Sequence, residues 1–573
     1  MKTNPSCLTL LLATVGVSSL GALGQGDPGR NPVPANRQFP TGNVIFFHPD
    51  GTGANHWCAT RMYFAGPDGY LNWDLLPQMA LYRGHMKNNL IGTSNGGATT
   101  HAFGYRVDGL GSFGKDGNGP DALFINSLSG YPGSIAREAA NAGIPVGMVN
   151  DGHIGEPGTG CFLSEVGNRN DWQEITRQMI QGRPGFSDTP PWVLMGGGEA
   201  DTRPAGTVLV HRNHNQERGQ PLLAQTSLRT DDLDLELDWN DNGSGDLSND
   251  PALRDDWIVI KTRDEFEALR TALTADAGYA PHVLGLFAYQ DLFNDRNEED
   301  LIARGKVTGD PVNHVGPLED PAAPSRTPGF RSKASGLILW GDLPGEAGHN
   351  PPTFKEMFEV TLTILDRAAK QQTSPAQRRF FMVAEQEAND NFGNNDNAVG
   401  ILHAMHDTDQ AIGVARDYLA RNPRTLIFTA ADSDAGGLQV TAPYRNAVVE
   451  EAGEINTSNY AFGFNANTAT GSPALPNIPD GLEGRGANAP TGGTKMFLSE
   501  PDALGQRMEF GIQWAGLGDY GGAILSRAAG LNAGLLNSVF AARFDNIDAY
   551  RMMYVSLFGR LLNYPANPAA PAR

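Results

Sequence analysis

The sequence predicts an α/β fold, a three-layer α/β/α sandwich with a mainly parallel central sheet and insertions near the active site. Short apolar runs, several of which end in polar or glycine-rich loops, alternate along the chain with amphipathic stretches at helical spacing. Strands that alternate with helices form a mostly parallel sheet covered on both faces. The predicted strands are 43–47, 145–149, 191–195, 283–287, 380–383 and 425–429, and the clearest helices are 353–368 and 398–420.

Length and composition favour one core domain that carries insertions. The 573 residues exceed the usual size of a domain, but α/β enzymes reach this length around a single core. Hydrophobic residues make up 40% and charged residues 19%, which is typical of a globular protein. We expect an extended leader over 25–40 and a domain over 41–573, with surface insertions at about 205–255 and 440–510, the second lying over the site.

The acidic charge balance excludes some classes of partner. Lys and Arg number 43 against 64 Asp and Glu, which gives a net charge of −21. Such a surface repels nucleic acid and anionic membranes. We therefore expect neither as a partner.

The N-terminus has the pattern of a signal peptide. Lys2 precedes an apolar run over 7–17, and small residues follow up to Gly24. This run is too short for a permanent membrane anchor, so we expect residues 1–24 to be removed. No later segment has the apolar length of a transmembrane helix. The mature protein is therefore expected to be exported, either to the periplasm or as a secreted protein.

Cleavage near Gly24 removes Cys7 and leaves Cys58 and Cys161. Export permits a disulfide between these two residues, but their geometry decides whether they pair. Two buried free thiols remain at least as good an expectation.

Aspartates follow three of the predicted strands. Asp50, Asp390 and Asp432 come after the strands at 43–47, 380–383 and 425–429, and strand ends meet at one rim of a parallel sheet. Carboxylates gathered there raise each other's pKa unless cations lie between them. The sequence therefore predicts a divalent-metal site, although each aspartate taken alone also fits a turn or a helix cap.

Several motifs follow one another in a specific order. The Asp50-Gly51-Thr52-Gly53 turn is followed by a small-residue loop at 92–99, a stretch at 149–169, a triple-glycine turn at 196–198 and a helix at 352–360. Two acidic motifs at 384–394 and 430–437 complete the series. This order resembles the alkaline phosphatases over nearly the whole mature chain. The resemblance implies a metal-dependent phosphate monoester hydrolase that acts on small-molecule phosphate esters through a phosphoserine, and it suggests a homodimer.

The resemblance assigns the catalytic residues. The loop Gly92-Thr93-Ser94-Asn95-Gly96-Gly97-Ala98-Thr99 is similar to the family's nucleophile loop and puts Ser94 at the nucleophile, with Thr93 as the alternative. An ungapped match over 149–169 puts Arg169 at the arginine that binds substrate phosphate. A planar guanidinium holds two phosphate oxygens at once.

The same comparison assigns the metal ligands. Glu385 and Glu156 map to the magnesium region, where Gly158 stands in place of a threonine ligand and Thr159 is the nearest substitute. Asp50, Asp390 and Asp432 keep family carboxylates. Asn394 and Ser433 stand where the family has two histidine ligands. The family's third histidine ligand would fall near Asp519, and it is replaced too, since no histidine follows Gly437.

These replacements alter the expected metal. Zinc prefers imidazole and thiolate, whereas carboxylate, amide and hydroxyl oxygens suit Mg²⁺, Ca²⁺ or Mn²⁺. We expect Mg²⁺ or Ca²⁺, with Mn²⁺ next, in place of the Zn²⁺ that the family implies.

Three alternatives remain open. Loss of the histidines is also compatible with a catalytically degenerate protein that binds phosphate or a partner, and the scaffold also serves phosphodiesterases. Sulfatases on this scaffold use a Cys-x-Pro-x-Arg-like motif, which Cys58-Ala59-Thr60-Arg61 lacks.

Residues 238–246 are a candidate second cation site, because side chains that carry oxygen occupy alternate positions before a glycine. Asn249 stands where a calcium loop needs a bidentate glutamate, so an acidic turn fits slightly better. His48, His101, His153, His403 and His406 lie near the motifs without occupying a mapped ligand position. We expect His153 to be the one that connects the phosphate site with the metals.

Overall fold

The computed structural model describes residues 37–109, 111, 113–211, 226–241, 256–293, 351–441, 497–540 and 544–573. The predicted signal peptide, most of the leader and the larger part of both predicted insertions lie outside these ranges, so the expectations for them stay predictions. No helix in the described ranges is long and apolar enough to cross a membrane.

Seventeen strands and twelve α-helices lie within these ranges. The strands are β1 Asn43–Pro49, β2 Gln78–Arg83, β3 Lys115–Asp116, β4 Leu123–Phe124, β5 Val146–His153, β6 Val193–Gly197, β7 Trp257–Ile260, β8 His282–Leu286, β9 Phe381–Gln386, β10 Thr425–Thr429, β11 Asp434–Ala435, β12 Gln439–Thr441, β13 Phe497–Leu498, β14 Glu509–Gln513, β15 Asp519–Tyr520, β16 Ile524–Gly530 and β17 Phe544–Asp545. The helices are α1 Ala54–Phe64, α2 Ser94–Phe103, α3 Ile135–Asn141, α4 Pro157–Gly160, α5 Trp172–Gln181, α6 Leu235–Asp241, α7 Arg263–Ala275, α8 Phe354–Gln371, α9 Ala388–Asn394, α10 Ala398–Arg421, α11 Leu535–Ser538 and α12 Asn546–Phe558.

Ten strands form the central sheet in the order β17-β2-β16-β10-β1-β9-β5-β6-β8-β7. Strand β16 runs antiparallel to both of its neighbours, β10 and β2, and every other pair is parallel. The predicted α/β fold with a mainly parallel sheet is confirmed. All six strands predicted from apolar runs belong to this sheet.

Helices cover both faces of the sheet because its strands are apolar on both sides. In β1, Ile45 and Phe47 face one core, which also contains residues of α1, α7, α8 and α10. Val44 and Phe46 face the other, with residues of α2, α3, α5 and α12. These two cores make the three layers of the sandwich.

Local signals fix the two predicted helices. Thr353 accepts a hydrogen bond from the Glu356 backbone N–H, and the Glu356 carboxylate accepts one from the Thr353 N–H, which is a capping box at the start of α8. The Asn397 side chain caps α10 by accepting from the Gly400 N–H at 2.8 Å. Both helices begin within a residue or two of their predicted starts.

The two cysteines of the described ranges are free thiols, so the pairing that the sequence left open does not occur. Cys161 is fully buried, and burial raises the pKa of its thiol to about 12. A thiol with so high a pKa is unreactive at neutral pH.

Helix α8 depends on its contact with the sheet, which gives the first prediction. Phe358 is fully buried and stacks on Phe47 of β1 with ring centroids 4.9 Å apart. Replacing Phe358 with Ala should lower the free energy of unfolding by about 3–5 kcal/mol, because a cavity forms in the core. The control is Leu90→Ala at a side chain that is 88% exposed, where the change should stay within about 0.5 kcal/mol. Denaturant unfolding followed by circular dichroism measures both, and equal midpoints for the two variants would refute the assignment.

Candidate active site

Three neighbouring strands deliver carboxylates to one rim of the sheet. Strand β1 lies between β9 and β10, with His48 opposite Glu385 and Phe47 opposite Thr429. The carboxyl ends of these strands therefore present Glu385, Asp50 and Asp432 side by side. The three residues are at most 1% exposed. The convergence predicted for Asp50 and Asp432 is present.

Asp390 and Asp519 join this cluster from two further elements. Asp390 lies in α9, and Asp519 opens β15, which pairs with β11 directly after the Asp432 loop. Asn394 Nδ2 donates a hydrogen bond to Asp390 Oδ2 at 2.8 Å and reaches Asp519 Oδ1 at 3.5 Å. Asn394 and Asp519, two of the three positions predicted to replace family histidines, thus lie together with Asp390.

The cluster contains buried oxygens without hydrogen bonds. Within the described ranges, Asp50 Oδ2, Asp390 Oδ1, Asp432 Oδ2 and Asn394 Oδ1 accept none. Buried polar atoms normally find partners, because leaving one unsatisfied costs about 1–3 kcal/mol. Divalent cations would satisfy these oxygens and also compensate the negative charge, so the donor set fits hard metal ions.

Burial and mutual repulsion raise the pKa values of several of these carboxylates. The pKa of Asp50 is raised from 3.8 to about 6, chiefly by burial. A hydrogen bond with Asp432 opposes this rise, and the neighbouring charges of Glu385 and Asp519 add to it. Burial also lifts the pKa of Asp432 and of Asp390 well above the ordinary range, with Asp50 and Asp519 among the charges that contribute. Several acids packed in a dry site cannot all be ionised without a counter-charge.

Glu385 is held by three donors. Its Oε1 accepts from the Gly158 N–H at 2.6 Å, and its Oε2 accepts from Asn150 Nδ2 and from the Thr159 hydroxyl at 3.2 Å. Thr159 also accepts from Asn150 Nδ2 at 3.1 Å. Thr159 therefore lies behind Glu385 and orients it, and its predicted role as a ligand remains a prediction.

Two cluster residues had no predicted role, because the sequence analysis missed Glu387 and assigned His48 no ligand position. Glu387 groups with Asp50 and Glu385, and His48 groups with Asp50 and Asp432, each set offering ligand atoms within 4.8 Å of one another. Both residues are buried, and Glu387 Oε2 has no hydrogen-bond partner in the described structure. The signal was spacing, because His48 precedes Asp50 by two residues and Glu387 follows Glu385 by two.

Ser94 is the first residue of helix α2, whose first turn packs on Asp432 of the carboxylate cluster. The Thr93 side chain caps this ten-residue helix by accepting from the Gly96 N–H at 3.3 Å. A Cβ at Gly97 would collide with the Asp432 side chain, so glycine permits the first turn of α2 to pack on Asp432. The predicted nucleophile is 5% exposed and adjoins the aspartate cluster.

Arg169 lies in a segment that packs beside the same helix. Its N–H donates to the Gly111 carbonyl at 2.5 Å, and Phe113 pairs with Val166. The Arg169 guanidinium is among the charges that act on the Cys161 thiol, whose Sγ reaches the Asn95 carbonyl at 3.6 Å. Half-buried Arg169 is therefore on the Ser94 side of the site.

The remaining predicted ligands differ in their surroundings. Ser433 is 1% exposed, and its hydroxyl makes no hydrogen bond to any described residue. Glu156 is 1% exposed, and its charge raises the pKa of Glu387. Both are therefore buried at the rim of the cluster.

The described contacts of His153 are with Asp201, Gly155 and Trp172. Its Nε2 lies 3.1 Å from Asp201 Oδ2, and its Nδ1 accepts from the Gly155 N–H at 2.9 Å. The ring also packs on Trp172, with centroids 4.8 Å apart. These partners lie outside the carboxylate cluster, and the expected role of His153 at the phosphate site stays a prediction.

The candidate calcium loop at 238–246 is helical over the residues that the structure describes. Asp238 and Asp241 belong to α6, and positions 242–249 lie outside the described residues. The described part thus has no loop conformation.

The family model for alkaline phosphatase matches residues 41–460. The chain belongs to the alkaline phosphatase family. The alkaline phosphatase of Thermus thermophilus is similar in structure, with a TM-score of 0.54 at 16% identity over 94% of each chain. That of the Antarctic bacterium TAB5 gives 0.50 at 14% identity over 91% of this chain and 99% of the other. These identities show the fold alone.

A TAB5 alkaline phosphatase variant with a TM-score of 0.50 and 14% identity has Mg bound in a site called M3. No curated protein sequence matches the chain. Family and fold support a phosphatase-type hydrolase with divalent metals for this alkaline phosphatase family member, and the cluster of unsatisfied oxygens agrees with that chemistry.

The raised pKa values predict how the stability of the metal-free protein depends on pH. With a folded-state pKa of about 6 against 3.8, Asp50 keeps a proton that the unfolded chain has already released. The free energy of unfolding of metal-free protein should therefore fall as pH rises from about 4 through about 6. Saturating Mg²⁺ or Mn²⁺ should remove most of this fall, adding about 2.7 kcal/mol at a hundredfold excess over Kd.

Unfolding at several pH values, with chelator and with cation, measures this effect. Asp390→Asn is the matched control, because it removes one charge of the cluster and should flatten the pH dependence of the metal-free protein. Identical pH profiles with and without cation would contradict a metal site at these carboxylates.

Proposed function

We propose that this protein is an exported phosphate monoester hydrolase that depends on divalent metals and acts through a phosphoserine at Ser94. The observation that carries the proposal is the set of buried, unsatisfied carboxylate oxygens of Asp50, Asp390 and Asp432 beside the N-terminus of α2. Export rests on the pattern of residues 1–24, and a homodimer stays a prediction from the family.

The proposed metal ligands fall into three groups that share Asp50 or adjoin it. Asp50 and Asp432 form the first, and Asp50, Glu385 and Glu387 form the second. Asp390, Asn394 and Asp519 form the third. Glu156, Thr159 and Ser433 line these groups. Hard cations bound there supply Lewis-acid stabilisation of the charges that develop on the oxygens of the reacting phosphate.

Ser94 is the proposed nucleophile. Its Oγ forms a bond to phosphorus while the bond between phosphorus and the ester oxygen breaks, and the alcohol leaves with a proton. Water then attacks the phosphoserine, which releases inorganic phosphate and restores the hydroxyl. The amide groups in the first turn of α2 and the positive end of its dipole favour an anion at Ser94.

Arg169 is proposed to hold the non-reacting phosphate oxygens. The guanidinium donates two parallel hydrogen bonds and keeps its charge at any working pH. This contact would orient the phosphate for in-line attack.

The nucleophile assignment is tested with Ser94→Ala and Thr93→Ala. Ser94→Ala should lower phosphate release from p-nitrophenyl phosphate by about 10³-fold or more, because no covalent intermediate forms. Thr93→Ala should retain turnover and lose about 1–2 kcal/mol of stability, since it removes a helix cap and the hydrogen bond that the Thr93 hydroxyl donates to the Gly109 carbonyl. The reverse pattern would make Thr93 the nucleophile. Mass spectrometry of acid-quenched enzyme locates the phosphoryl group.

The arginine assignment predicts a graded effect on substrate binding. Arg169→Ala should raise KM for p-nitrophenyl phosphate by about 10-fold or more, and Arg169→Lys should recover part of this loss, because lysine keeps the charge without the fork. Arg270→Ala is the control, since among the described residues Arg270 forms its ion pair with Glu267 on the surface of α7. Unchanged kinetics in Arg169→Ala would contradict the assignment.

A degenerate, non-catalytic protein is the second candidate, and the replacements Asn394 and Ser433 favour it. Chelated protein titrated with Mg²⁺, Ca²⁺, Mn²⁺ and Zn²⁺ separates the two candidates, since an enzyme regains turnover with at least one ion. Comparing phosphate monoesters, phosphate diesters and sulfate esters in the same assay identifies the reaction class.

A further inference from the structure

His48 is a fully buried histidine at the metal cluster. It is the penultimate residue of β1 and lies two positions before Asp50. Neither of its ring nitrogens makes a hydrogen bond to any described residue. The nearest ion-pair atom is Glu385 Oε1, which is 3.6 Å from Nδ1. Burying polar atoms without a hydrogen-bond partner costs free energy, so the two ring nitrogens of His48 call for a partner.

The ring is fixed in place by packing. Its centroid is 5.9 Å from that of Phe46 and 5.4 Å from that of His101, which it meets edge to face. On another side, a Cβ at Gly158 would collide with both His48 Nδ1 and Glu385 Oε1. The imidazole therefore has little room to turn away from the carboxylates.

The geometry of the cluster suits one shared cation. A ring nitrogen of His48 and one carboxylate oxygen each of Asp50 and Asp432 lie within 4.8 Å of one another. Ligand bonds of about 2.0–2.4 Å place donors at most about 4.8 Å apart across a metal ion. The same two aspartates carry the oxygens without hydrogen bonds, Asp50 Oδ2 and Asp432 Oδ2.

We infer that His48 is an imidazole ligand of the cation held by Asp50 and Asp432. This inference rests on the proposed metal dependence and deepens it. The histidine that Ser433 replaces in the loop after β10 is compensated by a histidine on the neighbouring strand β1. The binding set at this position is then one nitrogen and two carboxylates, which favours Mn²⁺ or Zn²⁺ over Mg²⁺ and Ca²⁺ compared with an all-oxygen set.

The competing role for His48 is that of an imidazolium paired with Glu385. A protonated ring donates from both nitrogens and cannot bind a metal. The two roles therefore differ in whether a nitrogen lies in the coordination shell of a bound ion.

The test uses full-length protein, stripped with chelator and loaded with Mn²⁺. Electron spin echo envelope modulation detects imidazole nitrogen coupled to Mn²⁺, and calorimetric titration gives the affinity. Wild-type protein should show nitrogen coupling, and His48→Gln should lose it together with about 10-fold or more in Mn²⁺ affinity. His101→Gln is the matched control, since His101 is equally buried next to His48 but its Nε2 is engaged by the Tyr82 hydroxyl at 2.7 Å.

Each outcome decides the inference. Absence of nitrogen coupling in loaded wild-type protein, its persistence in His48→Gln, its loss in His101→Gln alone, or a failure to bind Mn²⁺ overturns it. Should His48→Gln fail to fold, the wild-type spectrum with histidine carrying the heavier nitrogen isotope gives the answer by itself. Coupling without turnover of p-nitrophenyl phosphate would uphold the ligand and refute the proposed activity, so the two failures are distinguishable.

Discussion

Repulsion among buried carboxylates is the constraint on which the site depends. Parallel strands β9, β1 and β10 lie side by side, so the residues at their carboxyl ends project into the same small volume. Acids at those ends are removed from water by helices on both sheet faces, which raises their pKa values. The fold thus creates a place that is stable with full charge only when cations occupy it.

Two devices fix the carboxylates against this repulsion. Asn150, Thr159 and the Gly158 N–H hold Glu385, and Asn394 bridges toward Asp390 and Asp519 with its amide. Amide and hydroxyl groups orient a carboxylate without adding negative charge. Asn394, which the sequence predicts to replace a family histidine, thus connects two acids that otherwise repel each other.

Much of the fold and the outline of the site could be predicted from the sequence. Apolar runs marked six strands of the sheet, and the residues just beyond their ends gave Asp50 and Asp432. Strand β2 escaped this method because it is only half buried, with Met79 44% and Leu81 61% exposed. Glu387 was missed and His48 was given no ligand role, because their proximity to Asp50 depends on the pairing of neighbouring strands.

The pairing of β16 determines when, during synthesis of the chain, the central sheet can be completed. Strand β10 is flanked by β1 from the start of the domain and by β16 from its end, and β2 lies between β16 and β17. Asp519 enters only with the short β15, a few residues before β16. A chain that emerges N-terminus first thus has its sheet open beside β10 until almost all of it is synthesised. The carboxylate cluster is therefore complete only after Asp519 has been synthesised and β15 has paired with β11.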